Sequence, residues 1–173
     1  VDPQTNPGTM SVTNSSFCAG GSTQFSASGT VGFQALEYQW NGTGGTWTNW
    51  TTNNPHTWTT TTTGTLYVRS RAKSGVCATA YSSPVSAAVV PDPSITTQPV
   101  GATICSGATH TMNVSATGGI SLSYQWYKNG SVISGATGTS YGATTTGNYY
   151  CRVSSTGSGC DAINSNTVTV TVN

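Results

Sequence analysis

Charge is what this sequence has least of. Asp, Glu, Lys and Arg make up 5% of its 173 residues, against about 25% in an ordinary soluble domain. Five basic and four acidic side chains leave a net charge of +1, which supplies no field for nucleic acid or an anionic membrane surface. Long apolar runs are missing too: nothing reaches the roughly 18 consecutive residues that a membrane-spanning helix requires. Histidine is scarce. His56 and His110 sit in different halves of the chain, and neither has an acid nearby in sequence, so no Ser-His-acid site is indicated. The carboxylates Asp2, Glu37, Asp92 and Asp161 offer no evident pair flanking a sugar, as a glycosidase needs. There is no Cys-x-x-Cys pair, which argues against zinc. Calcium at Asp92 and Asp161 would have two carboxylates where six to eight oxygens are wanted; two solvated loop acids is the plainer reading. These absences leave a non-catalytic protein with no cofactor and no metal.

What the sequence does have is a repeat. Tyr38-Gln39-Trp40 is followed by Gly64-Thr65-Leu66-Tyr67-Val68-Arg69 and Gly75-Val76-Cys77. Tyr124-Gln125-Trp126 is followed by Gly147-Asn148-Tyr149-Tyr150-Cys151-Arg152 and Ser158-Gly159-Cys160. One constant offset carries Trp58 onto Tyr141, Gly64 onto Gly147, Tyr67 onto Tyr150, Arg69 onto Arg152 and Cys77 onto Cys160. One fold is therefore used twice, in residues 1–90 and 91–173, joined by the proline-stiffened linker at about 90–94. The chain opens with Val1-Asp2-Pro3, an echo of Asp92-Pro93, as if cut from a longer array.

The periodicity is that of strands. Leu36, Tyr38 and Trp40 share one face, Leu122, Tyr124 and Trp126 another, and Thr167–Val172 alternates without a break. Turn residues stand between them, Asn129-Gly130 among them. The expected class is all-β. Residues found in both copies serve the fold; those in one copy alone are the better functional candidates.

Tyr-x-Trp followed by Gly-x-Tyr-x-Cys resembles the immunoglobulin-like sandwich. There a core Trp packs between the sheets, and the Tyr two residues before the second cysteine makes a tyrosine corner. Gln98-Pro99, Cys105-Ser106-Gly107, Tyr124-Gln125-Trp126 and Tyr149-Tyr150-Cys151-Arg152-Val153 look more specifically like the immunoglobulin-like repeats of secreted and surface proteins of Bacteroidota, including adhesins and type IX-exported enzymes. The resemblance covers nearly all of 94–173. It is weaker over 1–90, where Leu66 replaces the corner Tyr and Val68 the cysteine. It implies two tandem immunoglobulin-like β-sandwich domains with Trp40, Trp126 and Tyr149 as core framework, an extracellular or cell-surface place, and a stalk or adhesin role. Neighbouring immunoglobulin-like repeats or an extracellular polysaccharide are the expected partners. A filament subunit is a third reading.

Five cysteines at repeating places read as a disulfide framework made in an oxidising compartment. Cys18 matches Cys105 and Cys77 matches Cys160, so the plainest pairing is Cys18 with Cys77 and Cys105 with Cys160. Cys18 with Cys160, and Cys151 with Cys160, stay open as alternatives. Cys151 takes the place of the second sandwich cysteine, but its expected mate is Val114, with Met112 on the same face, so Cys151 reads as a buried free thiol.

Two surface features remain. Arg69, Arg71 and Lys73 alternate along one strand face, either as an anion patch or, more simply, as partners of Glu37. Trp50 has no counterpart in the second copy. With Asn49, Asn53, Asn54 and His56 as polar partners it is the candidate ligand-binding group, an indole stacking on a sugar while amides bind its hydroxyls. Trp47, three residues earlier, faces the opposite side and is no part of that platform.

Overall fold

The computed structural model describes residues 5–40, 47–73 and 78–173, with the backbone but not the side chains of Asn49 and Trp50. Among the described residues every regular element is a β-strand. The chain divides into two compact units: Val1–Pro91 with Gly157–Gly159, and Asp92–Thr156 with Cys160–Asn173. Each follows from the alternation in its sequence.

Unit 1 has a three-stranded sheet of Thr9–Val12, Ser22–Ser28 and His56–Thr59. Its second sheet runs Ser16–Cys18, Val85–Val90, Gly64–Ala72, Phe33–Trp40 and Thr48–Thr51, with Ala80–Tyr81 beside Gly64–Ala72. Ser16–Cys18 joins Val85–Val90 in parallel; the other ladders are antiparallel. Alternate residues of both sheets point inward. Phe25, Leu36, Leu66, Val68 and Phe17 are fully buried between them, and their apolar burial is the main stabilising term. Tyr38, Trp40 and Trp58 close this core from its margin.

Unit 2 has the sheet Ala102–Ile104, Val168–Val172, Gly147–Thr156, Ile120–Lys128 and Ser131–Val132, with Ile163–Asn164 beside Gly147–Thr156. Opposite it lie the pairs Ser94–Thr97 with Ser115–Thr117, and His110–Asn113 with Ser140–Ala143. Met112, Val114, Trp126, Tyr149, Cys151 and Val170 fill the interior. Asn129 and Gly130 both have positive φ, 49° and 83°, the signature of the tight hairpin turn joining Lys128 to Ser131. Tyr149 donates its hydroxyl to the Thr145 carbonyl at 2.8 Å, which builds the tyrosine corner.

Strand register corrects one equivalence. Trp126 lies opposite Cys151. Val68, which the repeat places on Cys151, lies opposite Tyr38, while Trp40 lies opposite Leu66. Tyr38, not Trp40, therefore stands where Trp126 stands in unit 2. The ring contacts agree: Tyr38 meets Trp58 at 5.6 Å, and Trp126 meets Tyr141 at 6.0 Å. Trp126 is fully buried, as expected of framework. Trp40 is only partly buried, one pair further along the ladder, where unit 2 has Lys128 opposite Tyr149. The shared Tyr-Gln-Trp spelling conceals a two-residue offset between copies.

The cysteines follow similar logic. Cys18 ends the strand Ser16–Cys18, paired with Val90 and fully buried. Cys105 comes one residue after Ala102–Ile104, and Ile104 takes the last pairing position, on Val172. Cys105 is consequently an exposed free thiol, and the pairing of Cys105 with Cys160 is corrected. Cys18 and Cys160 are each disulfide-bonded. Cys77, the expected mate of Cys18, lies outside the described residues. Cys151 is buried and free, and its neighbours across the core include Met112 and Val114 rather than a second cysteine.

Candidate functional site

Period-two alternation puts Tyr38 and Trp40 on the inner face of Phe33–Trp40. His56–Thr59 in the other sheet supplies Trp58, paired with Thr23. The indoles of Trp40 and Trp58 lie with centroids 6.4 Å apart and planes 28° from parallel. Thr60 and Thr62 follow Trp58, and the Thr60 hydroxyl accepts a hydrogen bond from the Thr62 backbone N at 3.0 Å. These five residues line an open cleft of about 360 Å³, within the size range of small-ligand sites. Among the described residues its lining holds three aromatic side chains, three hydroxyls (Tyr38, Thr60 and Thr62) and no charge.

A substitution between the copies accounts for the difference in filling. In unit 2 the Tyr149 ring lies inside the sandwich, its centroid 5.9 Å from that of Tyr141, and is 1% exposed. The repeat offset places Leu66 at the Tyr149 position. Leucine is shorter and has no hydroxyl to anchor, so the rings of Tyr38, Trp40 and Trp58 are left to border the margin of the core. The repeat pattern had put Trp40 and Trp58 in the framework. The missing corner Tyr at Leu66 was the signal that could have marked the site.

Of the residues proposed around Trp50, Asn54 is committed to backbone partners of its own domain. Asn49 and Trp50 stand on the backbone strand Thr48–Thr51, in the sheet of Phe33–Trp40, and their side chains lie outside the described residues. Asn54 spends its amide on the backbone of Ser22–Ser28 in the other sheet: Nδ2 donates to the Ala27 carbonyl at 2.7 Å and Oδ1 accepts from the Ala27 N at 2.8 Å. This is backbone mimicry, not a free sugar-binding amide. Asn53 is exposed, its backbone N bonded to the Thr51 hydroxyl at 3.0 Å. His56 pairs with Phe25 in the three-stranded sheet. The structure thus distributes the segment between two sheets.

On the outer face of unit 1, Glu37 is 3% exposed. Its Oε2 accepts from Arg69 Nε and Nη2 at 3.0 and 2.9 Å, and its Oε1 lies 3.2 Å from Arg71 Nη1. The Arg69 guanidinium also lies over the rings of Trp47 at 4.3 Å and Tyr81 at 3.9 Å, a geometry suited to cation–π attraction. This is the ion pairing that the alternation suggested, and it leaves the two arginines committed to Glu37. In unit 2, Asp92 Oδ1 accepts from the Asp161 backbone N at 3.4 Å. No group of three metal-ligating side chains occurs among the described residues, and no helix there is long and apolar enough to cross a membrane. His110 Nε2 lies 2.9 Å from the Val100 carbonyl.

Comparison with known proteins gives two family matches. Residues 93–173 match the family described as Ig-like domain CHU_C associated. Residues 6–91 match a family described as a domain of unknown function, DUF8696. No curated protein matches the chain. Among solved structures it is similar to an I-band fragment of titin, at 12% identity and TM-score 0.58, over 94% of this chain and 65% of that one. It is also similar to extracellular domains 3–5 of Drosophila OTK, at 16% identity and TM-score 0.53, over 98% and 61%. A third likeness is to the three N-terminal domains of the Highly Immunogenic Outer Capsid protein of bacteriophage RB49, at 15% identity and TM-score 0.52, over 95% and 58%. The chain thus spans about two thirds or less of these three structures. At such identities the likenesses speak for the fold alone. With the sheet topology and the match of residues 93–173 to an Ig-like family model they lead to one conclusion: the chain is a tandem of immunoglobulin-like repeats.

Proposed function

We propose that this chain is a non-catalytic extracellular segment that spaces and presents other parts of a larger secreted or surface protein, as a stalk or adhesin module. The observation that carries the reading is the direct succession of two immunoglobulin-like sandwiches in a chain where Cys18 and Cys160 are disulfide-bonded. Disulfides persist in oxidising compartments, and interstrand ladders resist extension and proteolysis. The nearly uncharged, hydroxyl-rich composition suits a crowded extracellular matrix. Residues 90–94 serve as the linker between repeats. The resemblance to Bacteroidota surface repeats supports the same placement. Antibodies raised against the chain are expected to label intact, unpermeabilised cells of the organism that encodes it, or the protein secreted by them. Signal confined to the cytosolic fraction overturns the reading.

A second reading has one specific observation in its favour. The aromatic, uncharged cleft of unit 1 is suited to recognition of an extracellular polysaccharide, so the segment would bind as well as space. Retention of the purified chain on immobilised polysaccharide tests this; absence of retention on every polysaccharide leaves the spacer role alone.

A further inference from the structure

We infer that the cleft bordered by Tyr38, Trp40, Trp58, Thr60 and Thr62 is the ligand site of the first domain and takes a neutral saccharide ring. The inference rests on the polysaccharide reading above and gives it a location at residues the sequence pattern had assigned to the framework. Three observations combine. The first is chemical: indole and phenol faces meet the C–H face of a pyranose by stacking, while hydroxyls exchange hydrogen bonds with the sugar's own. The Thr62 side chain is exposed at the rim, and Thr60 is partly so. No lining residue among the described ones is charged, which disfavours uronic acids, sulfated sugars and acidic peptides.

The second observation is geometric. Trp40 and Trp58 come from opposite sheets and lie 28° from parallel, with Tyr38 tilted 49° to Trp58. Both sheets hold the rings, so the aromatic surface is preorganised and little ordering cost attends binding. The third comes from the repeat itself. The second copy, built on the same plan, fills its interior with Tyr149 and ties that ring to Thr145. The first copy has Leu66 there and places Trp40 where the second has Lys128. A sandwich needing only a core could use the second solution twice.

The test uses the whole chain, with affinity electrophoresis and calorimetry against soluble neutral polysaccharides: mixed-linkage β-glucan, xylan, galactomannan and starch. Saturable binding to at least one is expected. It should weaken at least tenfold in Trp40→Ala and several-fold in Thr62→Val, which loses a rim hydroxyl at nearly constant shape and leaves the core untouched. Thermal unfolding of Thr62→Val should match the wild type, separating loss of the site from loss of the fold. Binding that survives both substitutions overturns the location while sparing the polysaccharide reading. No binding to any of these polysaccharides overturns both. Binding of an apolar dye that Trp40→Ala abolishes, with no saccharide competing, shows a seat for an apolar ligand and overturns the saccharide assignment.

Discussion

The Tyr149 hydroxyl donates to the carbonyl of Thr145, four residues upstream, at 2.8 Å, and its oxygen lies 3.1 Å from the Thr145 hydroxyl. A buried ring thus holds the turn into the strand Gly147–Thr156. Tyr149→Phe keeps the ring and removes the donor. It is expected to cost the second domain about 1 kcal/mol, the range for a hydrogen bond whose acceptor can turn to water instead. Urea unfolding of the variant checks this; an unchanged midpoint rejects a structural role for the hydroxyl.

Glu37 is the pivot of the outer face of the first domain. Glu37→Gln leaves Arg69 and Arg71 facing a neutral amide. A fully buried broken pair costs about 3–5 kcal/mol. Here the two arginine side chains keep 21% and 27% exposure, so a loss of about 2 kcal/mol is expected on the same scale, less for solvent screening. Denaturant titration, with Tyr81→Ala as a comparison that removes one stacking ring, separates the ion pair from the cation–π contact.

Burial pushes the Cys151 thiol above its ordinary value, partly offset by a backbone hydrogen bond at Gln125. The folded state therefore holds this proton more tightly than the unfolded chain does. The stabilisation is present in full below the ordinary thiol value of 9.0. It is lost as pH climbs from there through the raised folded value. Cys151→Val should remove that loss, so the wild type is expected to weaken more than the variant between neutral pH and pH above about 10. Parallel pH profiles reject this. A thiol reagent at neutral pH should modify Cys105, which is exposed, and reach Cys151 only on unfolding.

Gly101 stands where the strand Ala102–Ile104 begins its parallel pairing. A Cβ there would lie 2.3 Å from the Thr169 backbone oxygen, and backbone cannot yield as a flexible side chain would. Gly101→Ala is expected to lower the stability of the second domain by about 1–3 kcal/mol, as overpacking does. Calorimetric melting checks it, with Gly130→Ala, which meets open space but has positive φ, as a control for backbone strain alone.

Much of the fold was legible because period-two alternation acts locally. Leu36 was placed on one face by spacing, and Met112 with Val114 on another, since a strand sends alternate side chains to one side. The ion pairing of Glu37 with Arg69 and Arg71 was visible for the same reason. Trp40 packs against the core, but its equivalence with Trp126 failed because identical tripeptides need not sit in identical register, and register is set by the partner strand and the buried face. The place of Asn54 was not legible because its amide bonds the backbone of Ala27, a contact across 27 positions of sequence that no local pattern announces.

By itself, then, the sequence determined the repeat, the all-β class, the alternating cores and the small charge, because each depends on residues near one another along the chain. Only tertiary structure decided that Cys105 stays free, that Tyr38 rather than Trp40 matches Trp126, and that Leu66 leaves a cleft where Tyr149 fills one. Those outcomes depend on which residues face each other across two sheets, and small offsets in pairing are enough to exchange a buried side chain for an exposed one.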